Sequence, residues 1–229
     1  MQTPTEQFDE TAVDLGIMSH VDALRTIVGD VSGLKTLDIG CGDGVIVREL
    51  RRLGAKSTGV DPLVAPGAEL SLIQGYADSV PLPSAHFDLV TFIFSLHHVR
   101  SNRLSESLQE ARRLLHRKGR FYVAEPLACG AFQHVIEPFH DETKVRMEAA
   151  LALRKEMLGF FENRRIVHYT ERRMFSNFDQ FADRMIAKAG FNRYQESDVR
   201  SLEVKHRFQE IFVRCNGAFD QPVRVDFYF

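Results

Sequence analysis

Leu37-Asp38-Ile39-Gly40-Cys41-Gly42-Asp43-Gly44 is the stretch that decides how this chain is read. Three glycines stand at alternate positions behind a short apolar run, and the residues from Val45 onward have helical spacing. Glycine tolerates positive φ and carries no Cβ, so a turn built from it can lie flat against a ligand. A strand feeding such a turn, with a helix start behind it, is the nucleotide-binding corner of a doubly wound α/β domain. The spacing here is G-x-G-x-G, where the dinucleotide fingerprint is G-x-G-x-x-G. Taken alone, such a turn fits several adenosine ligands.

The flanking sequence supports that corner. Leu34–Ile39 is short and nearly all apolar, as a strand covered on both faces should be. Val45–Leu53 is the helix after the glycines, with Gly54 as its stop. Lys56–Val60, Leu70–Gln74, Leu89–Phe94 and Arg120–Ala124 read as further strands, and Asn102–His116 as a helix with Leu104, Leu108, Ala111 and Leu115 on one face. This alternation implies right-handed crossovers and a mostly parallel sheet. Ahead of it, residues 1–12 read as a loose arm, and Gly16–Val28 has helical spacing. After Glu125-Pro126 the rhythm changes. Residues 127–175 hold no convincing strand, and Asp141–Phe161 reads as one long helix. A helix capped by Ser176 and stopped by Gly190 follows, then helical spacing from Val204 to Cys215 and a last strand over Val223–Phe229. The expectation is a single α/β domain over residues 1–229, a Rossmann-like three-layer sandwich with a mostly parallel sheet. Its core covers about 30–126, a helical cap inserted after the fifth strand covers about 127–175, and C-terminal helix and strand elements fill 176–229.

Composition narrows the function class. The chain has 229 residues, 44% of them hydrophobic, enough for a full core. Its formal net charge of −2 gives no electrostatic footprint for nucleic acid. The pairs Arg51-Arg52, Arg112-Arg113, Arg164-Arg165 and Arg172-Arg173 all have acidic neighbours and read as solvated faces. Three widely spaced cysteines imply neither a disulfide framework nor a zinc motif, which fits a reduced, cytoplasmic setting. The polar start, Met1–Glu10, does not read as a secretory signal, and no apolar run approaches the roughly 20 residues that span a bilayer.

Asp61 ends the second strand of the glycine-turn unit, roughly 20 residues after Gly40, where a carboxylate can accept both hydroxyls of a ribose. An Asp-Pro pair also opens turns, so the glycine turn is what favours the binding role. The blocks "LDIGCGDG", "GVDP", "GYADSVPLPSAHFDLV", "SLHHV" and "LLHRKGRFYVAEP" occur in that order, each at a strand end. Over about residues 35–126 this series resembles the class I, Rossmann-like S-adenosylmethionine-dependent methyltransferases. It looks most like their small-molecule branch, which includes quinone- and natural-product-modifying enzymes. The resemblance implies S-adenosylmethionine as cofactor. It implies that Asp38, Gly40, Cys41, Gly42 and Gly44 hold the methionine part and that Asp61 binds the ribose. It further implies that Pro62 or Leu63 packs on adenine, that Ala77 and Asp78 lie at the adenine edge, and that Phe94, Ser95 and Leu96 form the floor beneath the sulfonium. One departure is Tyr76, where family members often carry the Asp or Asn that meets the adenine amine.

Methyl transfer demands little machinery. The sulfonium is already electrophilic, and the protein must align nucleophile, methyl carbon and sulfur. A general base is needed only for a protonated acceptor, and His97 and His98 are the candidates, against a structural role for both. Glu125, at the end of the fifth strand, could bind the acceptor or cap the turn before Pro126. Tyr169, Arg172 and Arg173 could reach the acceptor if they lie in a cap. His134, Glu137, His140 and Asp141 invite a metal, but Pro138 interrupts the helix that their spacing would need, so no metal is expected. The sequence reading is therefore a methyltransferase acting on a small-molecule acceptor. The alternatives are a protein or nucleic-acid methyltransferase, or a cofactor-binding module without transfer activity. Acceptor and oligomeric state are not encoded in any motif.

Overall fold

Lys35–Ile39 forms strand β2, buried from Thr36 onward, and the rest of the sheet is built on both sides of it. The computed structural model describes residues 12–64, 71–188 and 192–229. The arm, the start of the strand read from Leu70 and the Gly190 stop lie wholly or mostly outside those residues. In chain order the elements begin with Val13–Ile17 (β1), His20–Val28 (α1), β2, Val45–Arg52 (α2), Lys56–Asp61 (β3), Leu72–Gln74 (β4) and Phe87–Ile93 (β5). Next come Leu104–Leu114 (α3), Leu115–Pro126 (β6), Ala131–Ile136 (α4), Thr143–Met157 (α5) and Arg164–Met174 (β7). Phe178–Ile186 (α6), Glu196–Val199 (α7), Leu202–Arg214 (α8) and Ala218–Tyr228 (β8) complete the set.

The eight strands form one sheet in the order β1-β7-β8-β6-β5-β2-β3-β4. All neighbouring pairs are parallel except those that β8 makes with β6 and β7. A mostly parallel sheet flanked by helices is the expected class. One face packs on α3 and α5 through Leu37, Val90, Phe92, Leu108 and Leu153. The opposite face packs on α1 and α2 through Leu24, Ile27, Leu50, Tyr122 and Val225. Phe132, Phe175, Phe181, Phe208 and Phe219 build a separate aromatic cluster among α4, α6 and α8. Among the described residues, no helix is long and apolar enough to cross a membrane.

Three expectations are corrected. Residues 127–175 do contain helices, α4 and α5, but they end in an eleven-residue strand, β7, laid beside β8. Charge had disguised it. Arg172 reaches Asp220 at 2.8 Å and Arg164 reaches Asp226 at 3.0 Å, so cross-strand partners on β8 absorb the charges. The helix read from Gly16 starts only at His20, because Ser19 is extended and its hydroxyl accepts the Asp22 amide. Val13–Ile17 is a strand that pairs with β7. Asn177 rather than Ser176 caps α6.

Candidate active site

From β2 the chain runs outward through β3 and β4, then crosses back to lay β5 against the other side of β2. The connections leaving the carboxyl ends of β2 and β5 lead to opposite sides of the sheet at this reversal, where open α/β sheets place their ligands. Gly40, Gly42 and Gly44 all have left-handed φ, at 76°, 52° and 80°. Gly40 is constrained twice, since a Cβ there would overlap the Ser95 side chain beyond β5. Ser95 Oγ donates to the Ile39 carbonyl at 2.7 Å, which ties the two strand ends together. Phe94 also has a left-handed φ, 56°, and its amide donates to the Ala124 carbonyl. Thus Phe94 and Ser95 form the crevice wall opposite the glycine turn.

Asp61, at the end of β3, accepts the Gly42 amide at 3.0 Å and the Leu63 amide at 2.8 Å. Each bond uses one carboxylate oxygen, leaving lone pairs for a diol in the crevice. Gln74 Nε2 donates to the Pro62 carbonyl and holds the Asp-Pro turn in place. Ala77 and Asp78 sit in the turn after β4, where Arg103 comes within 3.5 Å of the Asp78 carboxylate. Tyr76 stays exposed there, at 63%. Asp38 is buried and accepts the Thr91 hydroxyl at 2.7 Å. Burial lifts its carboxyl to about 7, opposed by the Thr91 bond and by His20, and aided by Asp61. Cys41 contributes its backbone to the turn, while its side chain packs with Val47 and Leu72. Burial, then the charges of Asp38 and Asp61, push that thiol up to about 12, which leaves it inert.

Beyond Ser95, residues Leu96–His98 make a single helical turn. Glu125 caps it, accepting the Leu96 amide at 2.9 Å and the Nδ1 of His97. Both Glu125 oxygens are thus engaged, with the turn after β5 rather than with the turn before Pro126. His97 Nε2 lies 3.5 Å from Glu142, just ahead of α5. Burial opposes charge on His97, but Glu125 and Glu142 outweigh it and raise its pKa to about 9. With its side chain only 2% exposed and already protonated at neutral pH, His97 is poorly disposed as a general base. The ring of His98 remains 54% exposed. The four residues considered for a metal do not converge. His134 faces Glu210, Glu137 pairs with Arg207, and Asp141 accepts the Thr143 amide. Only His140 turns towards Glu142, at 3.2 Å.

A further group had no sequence signal. His20, at the start of α1, is bonded through Nδ1 to Glu171 of β7 at 2.7 Å. Its ring meets the Phe94 ring edge-on, centroids 5.7 Å apart. Arg173 holds the other Glu171 oxygen at 3.2 Å and lies over the Phe132 ring at 4.0 Å. Of the other residues proposed to reach an acceptor, Tyr169 is buried in the sheet and Arg172 is committed to Asp220. A separation of 151 positions hides the His20–Glu171 contact from any local reading.

Residues 37–123 match the profile of a family described as "Methyltransferase domain". Over 118 residues the chain is 35% identical to an uncharacterized methyltransferase of Schizosaccharomyces pombe, covering 44% of this chain and 42% of the relative. It is 36% identical over 81 residues to a ubiquinone biosynthesis O-methyltransferase of Nitrosococcus oceani, covering 30% and 34%. With a ubiquinone/menaquinone biosynthesis C-methyltransferase of Pseudomonas paraeruginosa it shares 32% identity over 110 residues, covering 41% and 42%. The matches thus span less than half the length of these relatives. Among solved structures, the YcgJ protein of Bacillus subtilis superposes with a TM-score of 0.58 at 17% identity, covering 91% of this chain and 97% of that one. The [4+2]-cyclase SpnF superposes at 0.51 and 17% identity, covering 90% and 78%. The fold therefore does not dictate the reaction. The matched segment takes in the glycine turn, Asp61 and the crevice wall. Residues 37–123 of this chain are thus similar to the methyltransferase-domain family, within a Rossmann-like fold.

Proposed function

We infer that the chain is an enzyme that transfers the methyl group of S-adenosylmethionine to a small-molecule acceptor. The observation that carries this reading is the joint placement of Asp61 and the glycine turn at the sheet's reversal point. There, a carboxylate suited to a ribose diol bonds directly to the Gly42 amide. The residues fit the cofactor. The position of a Cβ at Gly42 is open space, and Asp61 retains acceptor capacity beyond its two amide bonds. When bound, S-adenosylmethionine supplies a methyl carbon already activated by its sulfonium.

The protein's own contribution is then binding and orientation. Asp61 and the turn around Pro62 hold the nucleoside, with Ala77 and Asp78 at the adenine edge. Asp38, Gly40, Gly42 and Gly44 hold the methionine end, and Phe94 and Ser95 shape the floor. On the acceptor side, α4 and α5 serve as a cap, and His20, Glu171 and Arg173 line the approach to Phe94. Near-neutral net charge and the small-molecule names of the quinone-pathway relatives favour a small acceptor over a macromolecule.

Isothermal titration with S-adenosylmethionine and S-adenosylhomocysteine tests the first half, with micromolar binding of both expected. No heat at millimolar cofactor would sink the reading. Incubation with methyl-labelled cofactor and fractionated cell extract tests the second half. Label should enter a small molecule; label only in protein or nucleic acid would transfer the proposal to a macromolecular acceptor.

A further inference from the structure

Among the described residues, one group of metal-ligating side chains gathers within bonding reach: His97, His98 and Glu142. They come from two distant parts of the chain, the turn after β5 and the residue preceding α5. Their donor atoms all lie within 4.8 Å of one another. His97 Nε2 is 3.5 Å from one Glu142 oxygen, and His98 Nδ1 is 3.7 Å from the other. A tetrahedral zinc with bonds of ~2.0–2.2 Å sets its ligand atoms roughly 3.3–3.6 Å apart. Side-chain adjustment of a few tenths of an ångström brings these two spacings into that range.

The surroundings are built as metal sites are built. A ligating imidazole characteristically gives its second nitrogen to a carboxylate, which fixes the ring and its tautomer. Glu125 takes Nδ1 of His97 in this way and leaves Nε2 facing the centre. Arg146, on α5, donates to Glu142 Oε2 at 2.6 Å, and His140 Nε2 lies 3.2 Å from Oε1. The Glu142 carboxylate is thus held from both sides. His97 is buried whereas His98 is largely open, so a fourth coordination position would face solvent.

We propose that His97 Nε2, His98 Nδ1 and the Glu142 carboxylate form a binding site for a divalent transition metal, with Glu125, Arg146 and His140 as its supporting shell. Two imidazoles and one carboxylate suit zinc or cobalt and disfavour magnesium and calcium, which prefer all-oxygen sets. Binding places the metal where His97 Nε2 otherwise holds a proton against Glu142, and that proton is released to solvent. A solvent-facing position on such a metal would bind and acidify a water or an acceptor hydroxyl. The site itself does not depend on the methyl-transfer reading and is tested without it.

The test uses the full chain, stripped with a chelator and titrated with zinc by calorimetry and with cobalt by visible absorption. The expected result is one equivalent bound with micromolar or tighter affinity, and cobalt bands of a four- or five-coordinate nitrogen and oxygen site. His98→Ala, which removes an exposed ring, should weaken binding at least tenfold with an unchanged circular dichroism spectrum. Glu125→Gln should weaken it by about 10–100-fold, as loss of a supporting partner does. His134→Ala, on the α4 surface against Glu210, is the control and should bind as wild type does. Absence of binding at millimolar zinc overturns the proposal. So does binding that His98→Ala and His134→Ala leave equally intact, because that places the metal elsewhere.

Discussion

Asp61 ends β3 and Asp38 lies buried near the end of β2, and each makes a separate prediction. Asp61 bonds two backbone amides and keeps acceptor capacity for a ribose. Hydrogen bonds to a charged group are worth about 1.5–3 kcal/mol each, so losing two to a diol costs roughly 3 kcal/mol or more. Asp61→Ala should therefore weaken S-adenosylhomocysteine binding by about 100-fold or more in calorimetry; a change under fivefold would remove Asp61 from the site. Asp38 is buried, and its carboxyl is pushed up to about 7. Its folded-state pKa lies above the unfolded value, so the folded protein holds this proton longer. This group therefore erodes stability as pH rises from about 4 to about 7 and has no further effect beyond. A cationic ligand requires the ionised form, which reverses the trend for binding. At pH 6 only about one tenth of Asp38 is ionised, so apparent affinity for S-adenosylmethionine should be about tenfold weaker than its plateau above pH 8. Asp38→Asn, which can still accept from Thr91, should flatten the profile. A flat profile in the wild type would contradict this account.

The glycine turn shows how one element serves two constraints that substitution can separate. Gly42 has a left-handed φ but open space where a Cβ would go, so Gly42→Ala should cost only the left-handed penalty of about 1–2 kcal/mol. Gly40 adds an overlap with Ser95, and Gly40→Ala should cost about 2 kcal/mol more than that in urea unfolding. Equal losses would mean that the β2 and β5 ends are not held in contact. Both constraints were half legible in the sequence, because three glycines behind an apolar strand announce a turn though not what each glycine must clear. The same logic made β2, α2, β3 and β5 readable, as apolar runs punctuated by glycine or Asp-Pro. β7 was not readable, since Arg164, Arg165, His168, Glu171, Arg172 and Arg173 make it look like a solvated helix face. Arg164, Glu171 and Arg172 find their partners on neighbouring elements, to which no local pattern points. Helical spacing from Gly16 failed for a related reason. The apolar residues of β1 happen to continue the period of α1, and only the Ser19 cap divides them.

The molecule divides at β8, among the described residues the one strand running against the others and the link that joins β7 and β1 to the remaining sheet. The crevice proposed for the cofactor lies on one side of it, at the ends of β2 and β5. Glu171 and Arg173, which hold His20 edge-on against Phe94, lie on the other, in β7. Asp226 on β8 is the buried anion of this junction, bonded to Arg164 of β7 and to Arg224 of its own strand. Removing one partner from a buried charge network costs about 3–5 kcal/mol, and the partial exposure of Arg164 favours the lower end. For a domain of this size, each kcal/mol lost lowers Tm by roughly 2–4 °C. Asp226→Ala should thus lower Tm by roughly 6–12 °C. Its spatial signature is more informative than its size. Hydrogen exchange should quicken first in β7 and β1, while β2, β3 and β5 keep their protection and S-adenosylhomocysteine affinity changes less than threefold. Loss of cofactor affinity together with β7 protection would show that the two halves of the cleft fold as one unit. Retained affinity with a loosened β7 would instead locate cofactor binding and acceptor positioning in separable parts of the same sheet, which is the arrangement the strand order implies.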